Sequence, residues 1–241
     1  MKIVAIIPAR YGSTRLPGKP LLDETGKPLI QHVVETVSLA ERIDAVYVAT
    51  DDERIIHAVA DFGGCAIMTS GGHISGTDRL AEAADKLDLD DGDIIVNVQG
   101  DEPEMSPGHI DRLVSLLIDS DCPMATLAAP LSRADAEKPD NVKVVLSSDG
   151  SAMYFSRAKI PYDRGGGGKY LLHLGIYAYR KEFLLKFAAM PPTSAEQTEK
   201  LEQLRALESG YRIAVAVVES AGPGIDTPDD YAAFVARMKD R

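Results

Sequence analysis

The chain has 241 residues, 45% hydrophobic and 26% charged, with 26 Lys+Arg against 37 Asp+Glu for a formal net charge of −11. A chain of this size buries roughly 70–75% of its unfolded surface, so a substantial core is expected. The acidic balance disfavours a nucleic-acid or anionic-membrane surface and leaves open a local basic pocket for a small anion. The two cysteines, Cys65 and Cys122, have no zinc spacing and read as buried, reduced thiols of a cytoplasmic protein. The apolar run at residues 3–7 is too short for a signal peptide, and no stretch approaches the ~18 residues of a membrane span.

In chain order, residues 3–7 predict a buried strand and residues 29–43 a helix with Ile30, Val33, Val34 and Val37 on one face. A strand at 45–49, a helix at 53–60 and a strand at 65–68 follow. A helix at 77–87 presents Leu80, Ala83, Ala84 and Leu87, and a strand at 94–98 completes the series. Wholly apolar strands separated by helices imply a parallel sheet covered on both faces. From Met124 the texture becomes strand-rich, with runs at 142–146, 153–155, 170–179 and 213–218. A helix over 196–208 carries Leu201, Leu204 and Leu207, and a helix from Pro228 to about 238 closes the chain. One domain is expected, with a nucleotide-binding part over about 1–130, a mixed-strand lobe over about 131–220 and the closing helix at 227–239. Gly165 to Gly168 read as a mobile connection.

The first strand runs into Pro8, Ala9, Arg10, Tyr11 and Gly12, then Arg15, Gly18 and Lys19. Three cations in a Gly/Pro-punctuated loop after a strand suit a phosphate chain, because glycines admit backbone N–H groups and the cations neutralise charge. It is not a Walker A loop: Pro20 stands where a Ser/Thr would hold magnesium. Asp101 and Glu102 follow the fourth strand at a glycine turn. Asp226 precedes Thr227, Pro228 and Asp230, the N-cap, first position and first turn of the last helix. Two such carboxylates can hold a hard cation, or be a turn acid and a capping cluster.

Strand alternation over 170–180 puts His173, Gly175, Tyr177 and Tyr179 on one face, opposite Leu172, Leu174, Ile176 and Ala178. Arg157 ends a strand, as a carboxylate clamp or a surface cation. Glu202 stands three residues before Arg205, which allows a solvated ion pair. Ser75 to Arg79 reads as a small-residue turn with an ordinary helix N-cap.

Eight colinear segments together resemble one family: PARYGSTRLPGKP (8–20), VATDD (48–52), SGTDR (75–79), NVQGDEP (97–103), YFSRAKIP (154–161), HLGIYAYR (173–180), EKLEQLRALE (199–208) and GIDTPDD (224–230). They are similar to the 3-deoxy-manno-octulosonate (Kdo) cytidylyltransferases of the sugar-nucleotidyltransferase superfamily. The segment between Arg157 and His173 is shorter than in many members. The resemblance implies a Rossmann-like α/β fold, the nucleotide-diphospho-sugar transferase fold, with a smaller lobe for sugar binding and dimerisation. It implies transfer of CMP from CTP to Kdo for lipopolysaccharide synthesis, magnesium as cofactor and a homodimer in the cytoplasm. Asp101 and Asp226 would be the metal ligands, with Lys19 and Arg10 joining them in catalysis. Pro8, Ala9, Arg10, Tyr11, Gly12, Arg15 and Lys19 would meet the nucleotide, and Ser75, Gly76 and Arg79 its cytosine. Gln99, Arg157, His173, Tyr177, Glu202 and Gln203 would line the sugar site. The same chemistry on the 8-amino analogue of Kdo is one alternative, and a CMP-sialate synthetase fits the later motifs less well. A non-catalytic nucleotide-binding regulator is the alternative from another class.

Overall fold

The computed structural model describes residues 1–12, 16–73 and 75–239. In chain order the elements are β1 (Ile3–Ala9), α1 (Leu29–Val37), β2 (Ala45–Thr50), α2 (Glu53–Asp61), β3 (Cys65–Met68), α3 (Gly76–Asp85), β4 (Ile94–Asn97) and α4 (Pro107–Asp119). Then follow β5 (Met124–Leu131), β6 (Lys143–Leu146), β7 (Ala152–Ser156), β8 (Tyr170–Arg180), α5 (Lys181–Ala189), α6 (Ser194–Glu199), α7 (Leu204–Glu208), β9 (Ile213–Val217) and α8 (Pro228–Lys239). The chain forms two compact units, Met1–Asp111 with Gly222–Arg241, and Arg112–Ala221.

In the first unit the strands lie in the order β3-β2-β1-β4, all parallel. The expected mostly parallel α/β arrangement is therefore present. Each strand is reached through a helix, as a parallel pair requires. β1 and β4 are apolar almost throughout because both of their faces are covered. Ile30, Val33 and Val37 of α1 are fully buried, as are Leu80, Ala83 and Ala84 of α3. The strand order reverses between β1 and β4. That is where open α/β sheets leave a crevice at their carboxyl ends.

The last helix returns to this unit. Tyr231, Phe234 and Val235 pack with Leu29 and Ile225, and with the partly buried Leu16, Leu22 and Met238. Its start follows the expected cap. Asp230 N–H donates to Thr227 Oγ1 at 3.2 Å, while Asp230 Oδ2 accepts from the backbone of Thr227 at 2.8 Å and of Asp226 at 3.1 Å.

In the second unit β5 pairs antiparallel with β8 and parallel with β9. β6 pairs with β7 along its length and with β8 at Lys143 opposite Leu172. The β5–β8 register jumps from Thr126 opposite Tyr177 to Leu127 opposite Leu174, so Gly175 and Ile176 form a bulge. An insertion of two preserves the side-chain alternation, and His173 and Tyr177 stay on the same face.

Several expectations are corrected. α1 ends at Val37 and not at 43, because the Ser38 hydroxyl donates back to the Val34 carbonyl and its N–H closes the last turn. Helix α4 stands ahead of the strand-rich stretch where no element was expected, and α5 interrupts the stretch itself. The expected helix over 196–208 is two short helices broken at Lys200, whose φ of 55° is left-handed. Cys65 is exposed, since β3 is the outer strand of the first unit's sheet, whereas Cys122 is buried. The glycine run wraps around Asp163, which accepts from Gly166 N–H at 2.6 Å and pairs with Arg133 at 3.1 Å.

Candidate active site

At the carboxyl ends of β1 and β4 a cavity of about 300 Å³ is lined by Pro8, Ala9, Arg10, Gly12, Lys19 and Pro20 from one side. Gly76, Gln99, Gly100 and Asp101 line the other. The two strand ends approach closely: a Cβ on Gly100 would lie 3.1 Å from the Pro8 carbonyl oxygen. A side chain there would press on that carbonyl. Arg10 Nη2 donates to the carbonyls of His73 at 2.6 Å and Ser75 at 3.3 Å, which ties the cation loop to the turn before α3.

Lys19 is the centre of charge. Its Nζ donates to Asp101 Oδ2 and to the Ile225 carbonyl, both at 2.8 Å, and stands 3.9 Å from Asp226 Oδ1. Ile225 N–H also donates to the Asp101 carbonyl at 2.9 Å. The two carboxylates singled out in the sequence thus share one ammonium, although they come from distant segments. Glu102, named beside Asp101 in the sequence but given no role there, lies next to this pair. Among the described residues its buried Oε2 has no hydrogen-bond partner, and burial, with the charges of Asp101 and Asp226, pushes its carboxyl up to about 7. Asp101 and Asp226 offer carboxylate oxygens of the kind a divalent cation takes, while among the described residues no group of three or more potential metal ligands comes together.

The other residues expected to meet the nucleotide are distributed differently. Tyr11 carries the Arg54 guanidinium 3.4 Å above its ring. Ser75 forms the capping box: its Oγ accepts from Asp78 N–H at 3.1 Å, and Asp78 Oδ2 accepts from Ser75 N–H at 3.2 Å. Arg79 is fully buried, donating to Thr69 Oγ1 at 2.5 Å and pairing with Asp51 at 3.0 Å. Of this turn, Gly76 is the residue that borders the cavity. Arg15 lies outside the described residues.

The second unit gathers the other predicted residues. Thr126 Oγ1 donates to the Ile176 carbonyl at 2.7 Å, so at 3.1 Å it accepts from His173 Nε2–H, which leaves Nδ1 as an acceptor. The His173 ring meets Phe155 edge-on at 4.9 Å and Tyr177 at 5.4 Å. Burial pushes the His173 imidazole down to about 3. Burial, and less so Glu202, raises the Tyr177 hydroxyl above its ordinary range and keeps it a donor. Gln203 is buried and, among the described residues, its Nε2 has no hydrogen-bond partner; a buried amide donor left so is one that a polar ligand atom could satisfy. Arg205 makes the expected contact with Glu202 at 3.3 Å, but its closer partner is Glu196, at 2.8 and 2.5 Å.

Arg157 is held by Glu199, which the sequence did not single out. Its N–H donates to Glu199 Oε2 and its Nε to the Glu199 carbonyl, both at 2.8 Å, and Nη1 reaches the Pro139 carbonyl at 3.3 Å. Among the described residues Nη2 makes no hydrogen bond.

One titration follows from this geometry. His173 is neutral in the fold and protonates in the unfolded chain, so its folded pKa lies below its unfolded one. Its contribution to stability is complete above the ordinary histidine pKa of ~6.5 and is lost as pH falls from there toward 3. In a histidine-resolved NMR titration, the His173 ring signal is expected to stay unshifted from pH 8 to 5. An inflection near 6.5 would place the ring in solvent.

The cytidylyltransferase family model matches residues 4–213. The 3-deoxy-manno-octulosonate cytidylyltransferase of Syntrophobacter fumaroxidans is 54% identical over 240 residues, 98% of this chain and 96% of that one. The 8-amino-3,8-dideoxy-manno-octulosonate cytidylyltransferase of Shewanella sediminis is 46% identical over 242 residues, 99% of each. Among solved structures, CMP:2-keto-3-deoxy-manno-octonic acid synthetase complexed with CTP superposes with a TM-score of 0.95 at 47% identity, over 100% of this chain and 99% of that one. A match this long places the chain in the cytidylyltransferase family.

Proposed function

We propose that the protein is a Kdo cytidylyltransferase, joining CMP from CTP to the 2-hydroxyl of Kdo with release of pyrophosphate for lipopolysaccharide assembly. The observation that carries the reading is end-to-end likeness to relatives of that name and to a synthetase complexed with CTP. The cavity beneath Arg10 and Lys19 supports it as a triphosphate site. The Kdo 2-hydroxyl oxygen attacks the α-phosphorus opposite pyrophosphate. The new O–P bond forms as the bond to the bridging oxygen breaks, pyrophosphate leaves with that electron pair, and the hydroxyl proton is released to solvent. Catalysis is by positioning and charge, with no covalent enzyme intermediate.

Arg10 and Lys19 offset charge on the triphosphate. Asp101 and Asp226 would hold Mg²⁺, which when bound supplies divalent charge against the phosphates and polarises the attacking hydroxyl. Arg157 presents Nη2 to the sugar carboxylate, and His173 Nδ1, Tyr177, Glu202 and Gln203 meet sugar hydroxyls. Gln99 lies on the cavity side.

Pyrophosphate release tests the reading. Turnover is expected with CTP and Kdo, to fall to background in excess chelator, and to fail with UTP or ATP. Faster turnover of the 8-amino analogue would favour the second substrate, which relatives at 46–47% identity bear in their names. Specific binding of CTP without pyrophosphate release would favour a regulator. A homodimer rests on the family resemblance. Sedimentation equilibrium is expected to give twice the 25.9 kDa chain mass. No described helix is long and apolar enough to cross a membrane, which accords with a site of action in the cytoplasm.

A further inference from the structure

Lys143 is the first residue of β6, and its side chain is completely buried. Lysine is among the residues least often found so deep, because removing an ammonium from water is costly unless a counter-charge compensates it. Among the described residues no carboxylate lies within ion-pair distance of Lys143. Its Nζ instead donates to two main-chain carbonyls, Lys138 at 3.0 Å and Arg157 at 2.6 Å. Glu199 and Glu137 are near enough to favour its charge and Arg157 opposes it, while burial leaves its pKa below that of an ordinary lysine. The strand does not need a lysine here for pairing, since Val144 and Val145 continue it with apolar side chains.

The two carbonyls explain the choice. Arg157 N–H is fixed by Glu199, Arg157 C=O is fixed by Lys143, and Arg157 Nη1 rests on the carbonyl of Pro139, next in sequence to the other carbonyl that Lys143 holds. One ammonium therefore clamps both the strand end that carries the guanidinium and the loop against which the guanidinium lies. A methionine of similar length would fill the space but would leave both carbonyls without donors.

We propose that Lys143 is a positioning residue of the sugar-acid site, which fixes the direction of the Arg157 guanidinium and places a second positive charge behind it. The inference rests on the reading of Arg157 as the group that meets the sugar carboxylate. Binding of a carboxylate depends on both features, so losing Lys143 weakens the acid more than a neutral analogue.

The test compares wild type, Lys143→Met, Lys143→Gln, Lys143→Arg and Arg157→Ala in steady-state kinetics with CTP, Kdo and the Kdo carboxamide. Lys143→Met is expected to raise the KM for Kdo by ~10-fold or more, with the KM for CTP unchanged and the preference for acid over carboxamide reduced. Lys143→Gln carries the same comparison if the methionine variant does not fold, and Lys143→Arg is expected to recover most of the acid preference. Equal changes for acid and carboxamide, or an unchanged KM for Kdo, would reduce Lys143 to a packing residue and overturn the proposal. If Arg157→Ala raises the KM for Kdo while the Lys143 variants do not, the inference alone fails. If Arg157→Ala leaves it unchanged, the reading of the sugar site fails with it.

Discussion

Asp101→Asn is expected to lower kcat by ~10²-fold or more, with the far-ultraviolet spectrum and melting behaviour close to wild type. The substitution keeps the shape of the side chain and one oxygen for Lys19, which sits 2.8 Å from Asp101 Oδ2. It removes a full negative charge from the pair that shares that ammonium with Asp226. On the proposed mechanism that charge is a cation ligand, so the loss falls on the transition state. The carboxylate is partly exposed, at 33% of its side-chain surface, and its ion pair contributes little to folding. Less charge crowding near Glu102 should also let that carboxyl ionise more easily, because Asp101 is one of the groups holding it up. An Asn variant with kcat within threefold of wild type would remove Asp101 from the reacting centre.

Arg157→Ala is expected to raise the KM for Kdo by ~10²-fold while sparing the affinity for CTP, since an arginine–carboxylate contact acts in ground and transition states alike. The guanidinium is anchored at Nε and Nη1 by carbonyls. It is a prepared donor, and little ordering remains to be done when an anion arrives. Isothermal titration with CTP and kinetics with varied Kdo check the two halves separately. Loss of CTP binding with an unchanged KM for Kdo would reassign Arg157 to the triphosphate.

The parts of this molecule that sequence made legible are those decided within a few residues. β1, β2, β3 and β4 are continuous apolar runs with turn residues on either side, and the helices between them carry a clear stripe. The Thr227–Asp230 cap is a local exchange of hydrogen bonds, and it formed as its residue types require. What sequence hid is long-range. Lysine has no preference for a left-handed backbone, so nothing local marks the break at Lys200. The break follows from tertiary partners, with Glu199 turned to Ser156 and Arg157 and Arg205 reaching back to Glu196. Arg79 was legible on a helix start, yet its burial depends on Asp51 and Thr69 from two other segments. α4 had its signal in Ile110, Leu113, Val114 and Leu117, all fully buried, but Pro107 and Gly108 at its start look like a turn. Cys65 belongs to a run apolar enough for a core, and only its place at the outside of the sheet exposes it.

The second anchor of Lys19 is the carbonyl of Ile225, 206 positions further along the chain. During synthesis the loop at residues 8–20 leaves the ribosome early, and the strands that follow can pair while translation continues. Until the segment around Ile225 emerges, Lys19 lacks that contact, Asp226 is absent, and Leu29 has no Tyr231 or Phe234 to cover it. The nascent polypeptide therefore carries most of a nucleotide cradle long before it can assemble the complete carboxylate pair. On the proposed mechanism, completion of the carboxylate pair waits on the docking of the closing helix.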